Sequence, residues 1–260
     1  MRDSSSAVRI VSYLRALIGR GRDCLRVGSF VVGFDRDSDS RFRNYALPDD
    51  SCEPTETDIR ALMAAFSERH RIPRLEYVPA LAPAVLPALM DAGFVAEAEP
   101  ALMVCSEATL HLPSPSSGIA FSLATDSSAL LAAARVQNEA YGETDTTTAA
   151  DVTRLRSTLD RGGAVGLASD VATGEAVGAG LYSAPLNSTT EIAAVGVRAP
   201  YRRRGIAGYL TAFLAQEALA RGITEPFLMA AHEAEARIYS RVGFQPCGTM
   251  LHISRMKSAG

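Results

Sequence analysis

In the stretch Glu191–Leu210, EIAAVGVRAPYRRRGIAGYL, an apolar run ends at Pro200, three arginines follow, and two glycines frame the start of a helical pattern. Ile206, Leu210, Phe213 and Leu214 fall at i, i+4, i+7 and i+8, the period of a helix that buries one face. Gly222 after Arg221 supplies its stop. Glu191–Val197 reads as the strand before it. A strand-to-helix turn leaves N–H groups without partners at the helix start, and those groups and the helix dipole favour an anion. Gly205 lets the backbone approach a ligand that a Cβ would obstruct, and arginines add charge and paired donors. A solvated basic loop or a nucleic-acid patch would account for Arg202, Arg203 and Arg204. Neither explains the glycines or the position, and the interleaved aromatics and basic surround of a nucleic-acid surface are missing. The turn suits a phosphate or pyrophosphate.

Two familiar phosphate turns do not fit. Lys257 is the only lysine, so there is no GxxxxGK[ST], and no strand is followed by GxGxxG. What remains is Arg-x-x-Gly-x-Ala at Arg202, Gly205 and Ala207. With its V-x-V strand and proline, VGVRAPYRRRGIAGYL resembles the coenzyme A loop of the GNAT superfamily of N-acetyltransferases, whose pattern is Gln/Arg-x-x-Gly-x-Gly/Ala. Downstream, EARIYSRVGF (Glu235–Phe244) resembles that family's next helix, with Tyr239 four residues before Gly243-Phe244. The resemblance covers Ile119 to Arg255.

The resemblance implies an α/β fold with a mixed sheet, GNAT-like, and an acetyl transfer from acetyl-CoA to a primary amine by direct attack, without a metal. It implies that backbone groups of Val195, Gly196 and Val197 run beside the pantetheine arm. It further implies that Arg202, Arg203, Arg204, Gly205, Ile206, Ala207 and Gly208 surround the pyrophosphate. Tyr239 becomes the general acid for the departing thiolate; a phenol titrates at about 10 and a thiol at about 8.5, so the tyrosine still holds its proton when the thiolate forms. Glu191, fourteen residues before Gly205, matches the spacing of a catalytic glutamate in some histone-type members; a solvated strand-end carboxylate is the competing reading. Glu139 and Glu143, in QNEAYGETD, fall where the family binds its acceptor. His232 stands where many members have an asparagine near the coenzyme, a departure that puts that contact in doubt. A non-catalytic acyl-CoA-binding or scaffold protein is the alternative function.

HLPSPSSGI, His111–Ile119, gathers Pro, Ser and Gly between two apolar segments and reads as a linker. The expected division is a first domain at 1–112, a linker at 113–118 and a GNAT domain at 119–260. The second half reads as strands at Ile119–Ala124, Ala164–Ser169, Ala176–Tyr182, Glu191–Val197, Pro226–Ala230 and Phe244–Ile253. Helices are expected at Ser127–Ala140, Thr148–Arg161, Gly205–Arg221 and Glu233–Arg241. In the first half strands are expected at Cys24–Phe34, Arg43–Leu47 and Arg74–Pro79. Helices are expected at Thr55–His70, opened by a Thr55/Asp58 capping box, and at Pro83–Gly93. RLEYVPALAPAVLPALMDAGF and PFLMAAHEAEARIYSRVGF share the order strand, helix, Gly-Phe, strand, which points to an internal duplication and two tandem GNAT-like domains. Leu89 holds the place of Tyr239 in the first copy, and no arginine-glycine turn precedes its helices, so that copy reads as lacking a coenzyme site.

Composition narrows the rest. Of 260 residues, 47% are apolar, an ordinary globular content, and the net charge of -3 gives no general attraction to nucleic acid or an anionic membrane. The N-terminal apolar residues are interrupted by arginines, unlike a signal peptide, and no run reaches the length of a membrane span. Cys24, Cys52, Cys105 and Cys247 are scattered without a CxxC pair, as expected of reduced cytoplasmic thiols. The expected partners are a coenzyme A thioester and a small amine, not nucleic acid or membrane. Pairing as a homodimer is left open.

Overall fold

The computed structural model describes residues 3–20, 23–36, 38–142 and 147–255. The chain forms two compact units, one of Met1–Leu102 with Cys247–Gly260, the other of Met103–Pro246. In chain order the elements begin with α1 (Asp3–Ile18), β1 (Asp23–Val27), β2 (Phe30–Phe34), β3 (Tyr45–Pro48), α2 (Glu56–Ser67), β4 (Arg74–Tyr77), α3 (Val85–Asp91), β5 (Val95–Ala98) and β6 (Ala101–Val104). They continue with β7 (Ile119–Leu123), α4 (Ser127–Tyr141), α5 (Ala149–Asp160), β8 (Ala164–Asp170), β9 (Ala176–Tyr182) and β10 (Thr189–Val197). The last are α6 (Ile206–Ala220), β11 (Glu225–Ala230), α7 (Glu233–Ser240), β12 (Gln245–Thr249) and β13 (Leu251–Ser254).

The first unit is a mixed six-stranded sheet in the order β1-β2-β3-β4-β13-β5. Alternate residues of its strands (Phe30, Val32, Phe34, Leu75, Tyr77, Leu251, Ile253) pack with Ile59, Leu62 and Phe66 of α2 and Val85 and Leu89 of α3 in one core. Full burial of a Leu or Phe side chain is worth about 1.5–3 kcal/mol, so these residues carry the unit. Thr55 caps α2 through the N–H of Asp58 while the Asp58 carboxylate takes the Thr55 N–H at 2.8 Å, the expected capping box. The strand expected over Cys24–Phe34 is a hairpin. Gly28, at φ +52°, and Ser29 form a two-residue turn, and Val27 pairs with Phe30. Helix α1 was not anticipated; it buries Ala7, Ile10, Val11, Leu14 and Ile18, the spacing of one helical face.

The second sheet runs β12-β6-β11-β10-β9-β8-β7, also mixed: β7 through β10 are antiparallel neighbours and β10 pairs parallel with β11. Helices α4 and α5 pack their apolar faces on β8 and β9 around Leu130, Val136, Leu155, Val165 and Leu181. Helix α6 ends as its sequence requires, with Gly222 at φ +81° and the N–H of Ile223 bonded to Ala218 O.

The two copies of strand-helix-Gly-Phe-strand repeat in detail. The Phe94 N–H bonds Leu89 O at 3.0 Å and the Phe244 N–H bonds Tyr239 O at 3.1 Å, and both phenylalanines are buried. Each copy ends in two strands, β5–β6 and β12–β13. The strand expected over Phe244–Ile253 therefore breaks at Met250, whose N–H bonds Pro100 O. Strand β13 lies between β4 and β5, and β6 lies between β11 and β12. The stretch read as a linker is held against the second unit. The His111 N–H bonds Val242 O, Ser116 Oγ donates to Arg204 O, and the Val171 N–H bonds Gly118 O.

Candidate active site

Strands β10 and β11 are in register from Thr189↔Glu225 to Glu191↔Phe227 and no further. Beyond that point they separate, and Ile192–Val197 on one side and Leu228, Met229 and Ala231 on the other line a cleft of about 1050 Å³. Separation coincides with a bulge: the pairing of β10 with β9 shifts between Ala193 and Gly196, and Ala194 sits at φ +52°. Two side chains of α4 reach the bulge. Gln137 Nε2 donates to Ala194 O at 3.1 Å and the Tyr141 hydroxyl to Val195 O at 3.3 Å. Gly196 allows this approach, since a Cβ there would stand 2.6 Å from the Ala140 Cβ.

The arginine-glycine turn closes one end of the cleft. A short helical turn at Ala199–Tyr201 precedes it, Arg202 Nε donates to Val197 O at 3.0 Å, and Arg203 (φ +62°) and Gly205 (φ +77°) are both left-handed. The first α6 bond runs from the Tyr209 N–H to Gly205 O. The N–H groups of Ile206, Ala207 and Gly208 thus have no partner within the helix, and they point along its positive end. A Cβ at Gly208 would lie 3.3 Å from Ile238 Cγ2, so its glycine brings α6 close to α7.

Residues 130–244 match the model of the acetyltransferase (GNAT) family. They form a GNAT domain. Solved structures extend the likeness to nearly the whole chain. A GCN5-related N-acetyltransferase from Kribbella flavida superposes with a TM-score of 0.80 over 97% of this chain and 96% of its own, at 22% identity. A GCN5-related N-acetyltransferase from Sphaerobacter thermophilus gives 0.67 over 88% and 76%, at 18% identity. A tandem GNAT protein from the clavulanic acid biosynthesis pathway gives 0.63 over 88% and 79%, at 12% identity. At these identities the likeness is one of fold, and the fold is two tandem GNAT-like units. No curated protein matches the sequence.

Of the residues expected at the GNAT site, Val195, Gly196, Val197, Arg202, Arg203, Gly205, Ile206, Ala207, Gly208 and Tyr239 line the one cleft. Arg204 does not; it lies over the Tyr201 ring at 5.3 Å, and its Nη2 bonds Ser117 O. Glu191 sits at the last position of β10 paired with β11, one residue before the lining begins. Glu139 forms an ion pair with Arg198 at 2.9 Å, and His232 is the exposed N-cap residue of α7 without a capping bond from its side chain. Neither lines the cleft. Glu143 lies outside the described residues.

Burial, and then the charge of Glu235 and the phenol of Tyr141, push the ionisation of Tyr239 well above the usual phenol range. Tyr141, though 60% exposed, is raised as well, by partial desolvation and the charge of Glu235. Tyr239 therefore keeps its proton at neutral and moderately alkaline pH. Tyr141, Glu235 and Gln137 were not anticipated. Glu235 was within reach of the sequence, being one helical turn before Tyr239 in EARIY. Among the described residues no group of three His, Cys, Asp or Glu could hold a metal ion, and no helix is long and apolar enough to cross a membrane.

Proposed function

We propose that the GNAT domain moves an acetyl group from acetyl-CoA to a primary amine, with Tyr239 as general acid. The observation that carries this reading is convergence. The bulged wall of β10, the open N-terminus of α6 and a protonated, half-buried tyrosine all face one cleft. Acetyl-CoA supplies a thioester carbonyl activated for attack. The backbone of Val195–Val197 offers a strand edge for the pantetheine arm and an N–H for the carbonyl oxygen as it gains charge. The N–H groups of Ile206–Gly208, with Arg202 and Arg203 beside them, hold the pyrophosphate. The neutral amine forms the new C–N bond as the C–S bond breaks, and the Tyr239 hydroxyl gives its proton to the leaving sulfur. Before attack the ammonium form of the amine gives one proton to Glu191 through water, and after attack the nitrogen returns one proton to the phenolate of Tyr239.

The test is calorimetric titration of acetyl-CoA into wild type and Gly205→Glu. The added carboxylate places a like charge and a side chain at the pyrophosphate position. Binding by wild type, absent in a folded Gly205→Glu, supports the reading. No binding by wild type overturns it. Binding with no turnover across an amine panel favours an acyl-CoA-binding scaffold instead.

A further inference from the structure

The charges that line the cleft are unevenly placed. Arg202 and Arg203 belong to the turn before α6, and Arg241 to the end of α7. Glu235, in the first turn of α7, is the one carboxylate among the described lining residues. Its Oε2 accepts the Ala231 N–H at 2.8 Å, which anchors the side chain at the lip of β11. Among the described residues its Oε1 has no hydrogen-bond partner. Glu235 shares the cleft lining with Ile192, Ala193 and Leu228, and its carboxylate gains from a charged donor. An anionic cofactor is drawn toward the arginines, and the same field pushes it from Glu235.

Two tyrosines line the same cleft as this carboxylate. Tyr141 rises from α4 and Tyr239 stands one turn further along α7, and both feel its charge. A cation beside the carboxylate gains from its charge, in a cleft that the two phenols also line. We infer that Glu235 is the residue that receives the ammonium group of the acceptor amine, docked on α7 beside Tyr239. This rests on the acyl-transfer reading and adds to it the residue that holds the acceptor. Glu235 also serves the helix start, a role that an amide oxygen can take over, so charge and capping are separable.

The experiment compares wild type, Glu235→Gln and Glu235→Asp, with tyramine, propylamine and 1,3-diaminopropane as probes. Acetyl-CoA affinity is measured first by calorimetry. Each amine is then titrated into the coenzyme A-loaded protein, and KM is measured where turnover occurs. Glu235→Gln is expected to raise the amine Kd or KM at least tenfold with the acetyl-CoA Kd unchanged within twofold; Glu235→Asp recovers part of the loss. Acetyl-CoA bound by wild type with none of the amines taken up, or with wild type and Glu235→Gln taking them up equally, overturns the assignment of Glu235 alone. A Glu235→Gln variant that loses acetyl-CoA affinity and leaves amine affinity unchanged also overturns it, since the carboxylate then serves the cofactor. Absence of acetyl-CoA binding in wild type removes the acyl-transfer reading, and this assignment with it.

Discussion

The side-chain amide of Gln137 on α4 holds the carbonyl oxygen of Ala194 in the bulge of β10 at 3.1 Å. Gln137 is 3% exposed, and Ala194 occupies the left-handed region at φ +52°. An alanine there costs about 1–2 kcal/mol, so the bulge needs a compensating contact, and this hydrogen bond is one. Gln137→Leu keeps the volume and removes the donor. It should destabilise the domain by about 1–2 kcal/mol in denaturant titrations. It should also weaken acetyl-CoA binding, because the bulge turns Val195–Val197 toward the cleft. Unchanged acetyl-CoA affinity in a destabilised variant would separate the bulge from cofactor binding.

Tyr239→Phe removes one hydroxyl and leaves the ring against Phe244, 6.4 Å away between centroids. Turnover should fall on the order of 100-fold or more, while acetyl-CoA affinity holds. The pH profile gives a second check. Burial, then the charge of Glu235, raises Tyr239 above its usual value of 10.0, so its acid form persists across the working range. Wild-type kcat should therefore show no alkaline fall below pH 10 that is lost in Tyr239→Phe. Such a fall would mean that the phenol ionises normally and is not the protected acid.

The parts of this architecture that depend on local sequence were open to reading. The arginine-glycine turn, the Thr55 capping box and the stop at Gly222 each follow from a few adjacent residues, and each is present. Elements set by distant pairing were less accessible. PCGTMLHIS reads as one continuous strand, yet its halves join different sheets, because the partners of β13 (β4 and β5) are more than 150 residues away. The Pro-Ser-Gly stretch has a linker's composition, but Ser116 and Ser117 are fixed to Arg204 by contacts that no local pattern announces. At the site, the spacing brought Val195–Val197, Arg202, Arg203 and Gly205–Gly208 to one cleft. Glu139 was expected at the acceptor because the resemblance places it there, and in the structure its carboxylate pairs with Arg198, just after β10.

The first unit carries a buried charge cluster with consequences for acid stability. Arg74 is fully buried, with Nε 3.2 Å from Glu97 Oε2 and Nη1 bound to Glu76. Arg74→Met strands two carboxylates and should cost about 3–5 kcal/mol. Burial alone would raise Glu97, but the Ser254 hydroxyl and the charges of Arg74 and Arg41 outweigh it and hold it below its usual 4.5. Its contribution is present above that value and lost as pH falls through the lowered one. His252, 3.9 Å from Glu76, is shifted below 6.5, first by burial, against the pull of Glu76. The unfolded chain then binds a proton that the folded chain refuses, so stability declines as pH drops from 6.5. Denaturant midpoints measured from pH 8 to pH 4 should fall in that window, and His252→Gln should flatten the upper part. A wild-type profile flat from pH 7 to 5 would refute the His252 contribution.

The sheet order bears on where the GNAT domain can be cut. Strand β6 (Ala101–Val104) stands between β11 and β12, so a fragment of residues 119–260 lacks an interior strand of its sheet. The same fragment retains β13, whose neighbours β4 and β5 it has lost. Backbone N–H and C=O groups along β11 and β12 would then be unpaired, together with apolar side chains such as Phe244 that the sheet buries. A fragment of residues 99–249 keeps β6 and ends before β13. It should give a cooperative thermal transition by circular dichroism, whereas 119–260 should aggregate or melt without one. A cooperative transition in 119–260 equal to that of 99–249 would show that β6 is dispensable to the second sheet, and that the boundary at the Pro-Ser-Gly stretch is the one that matters for folding.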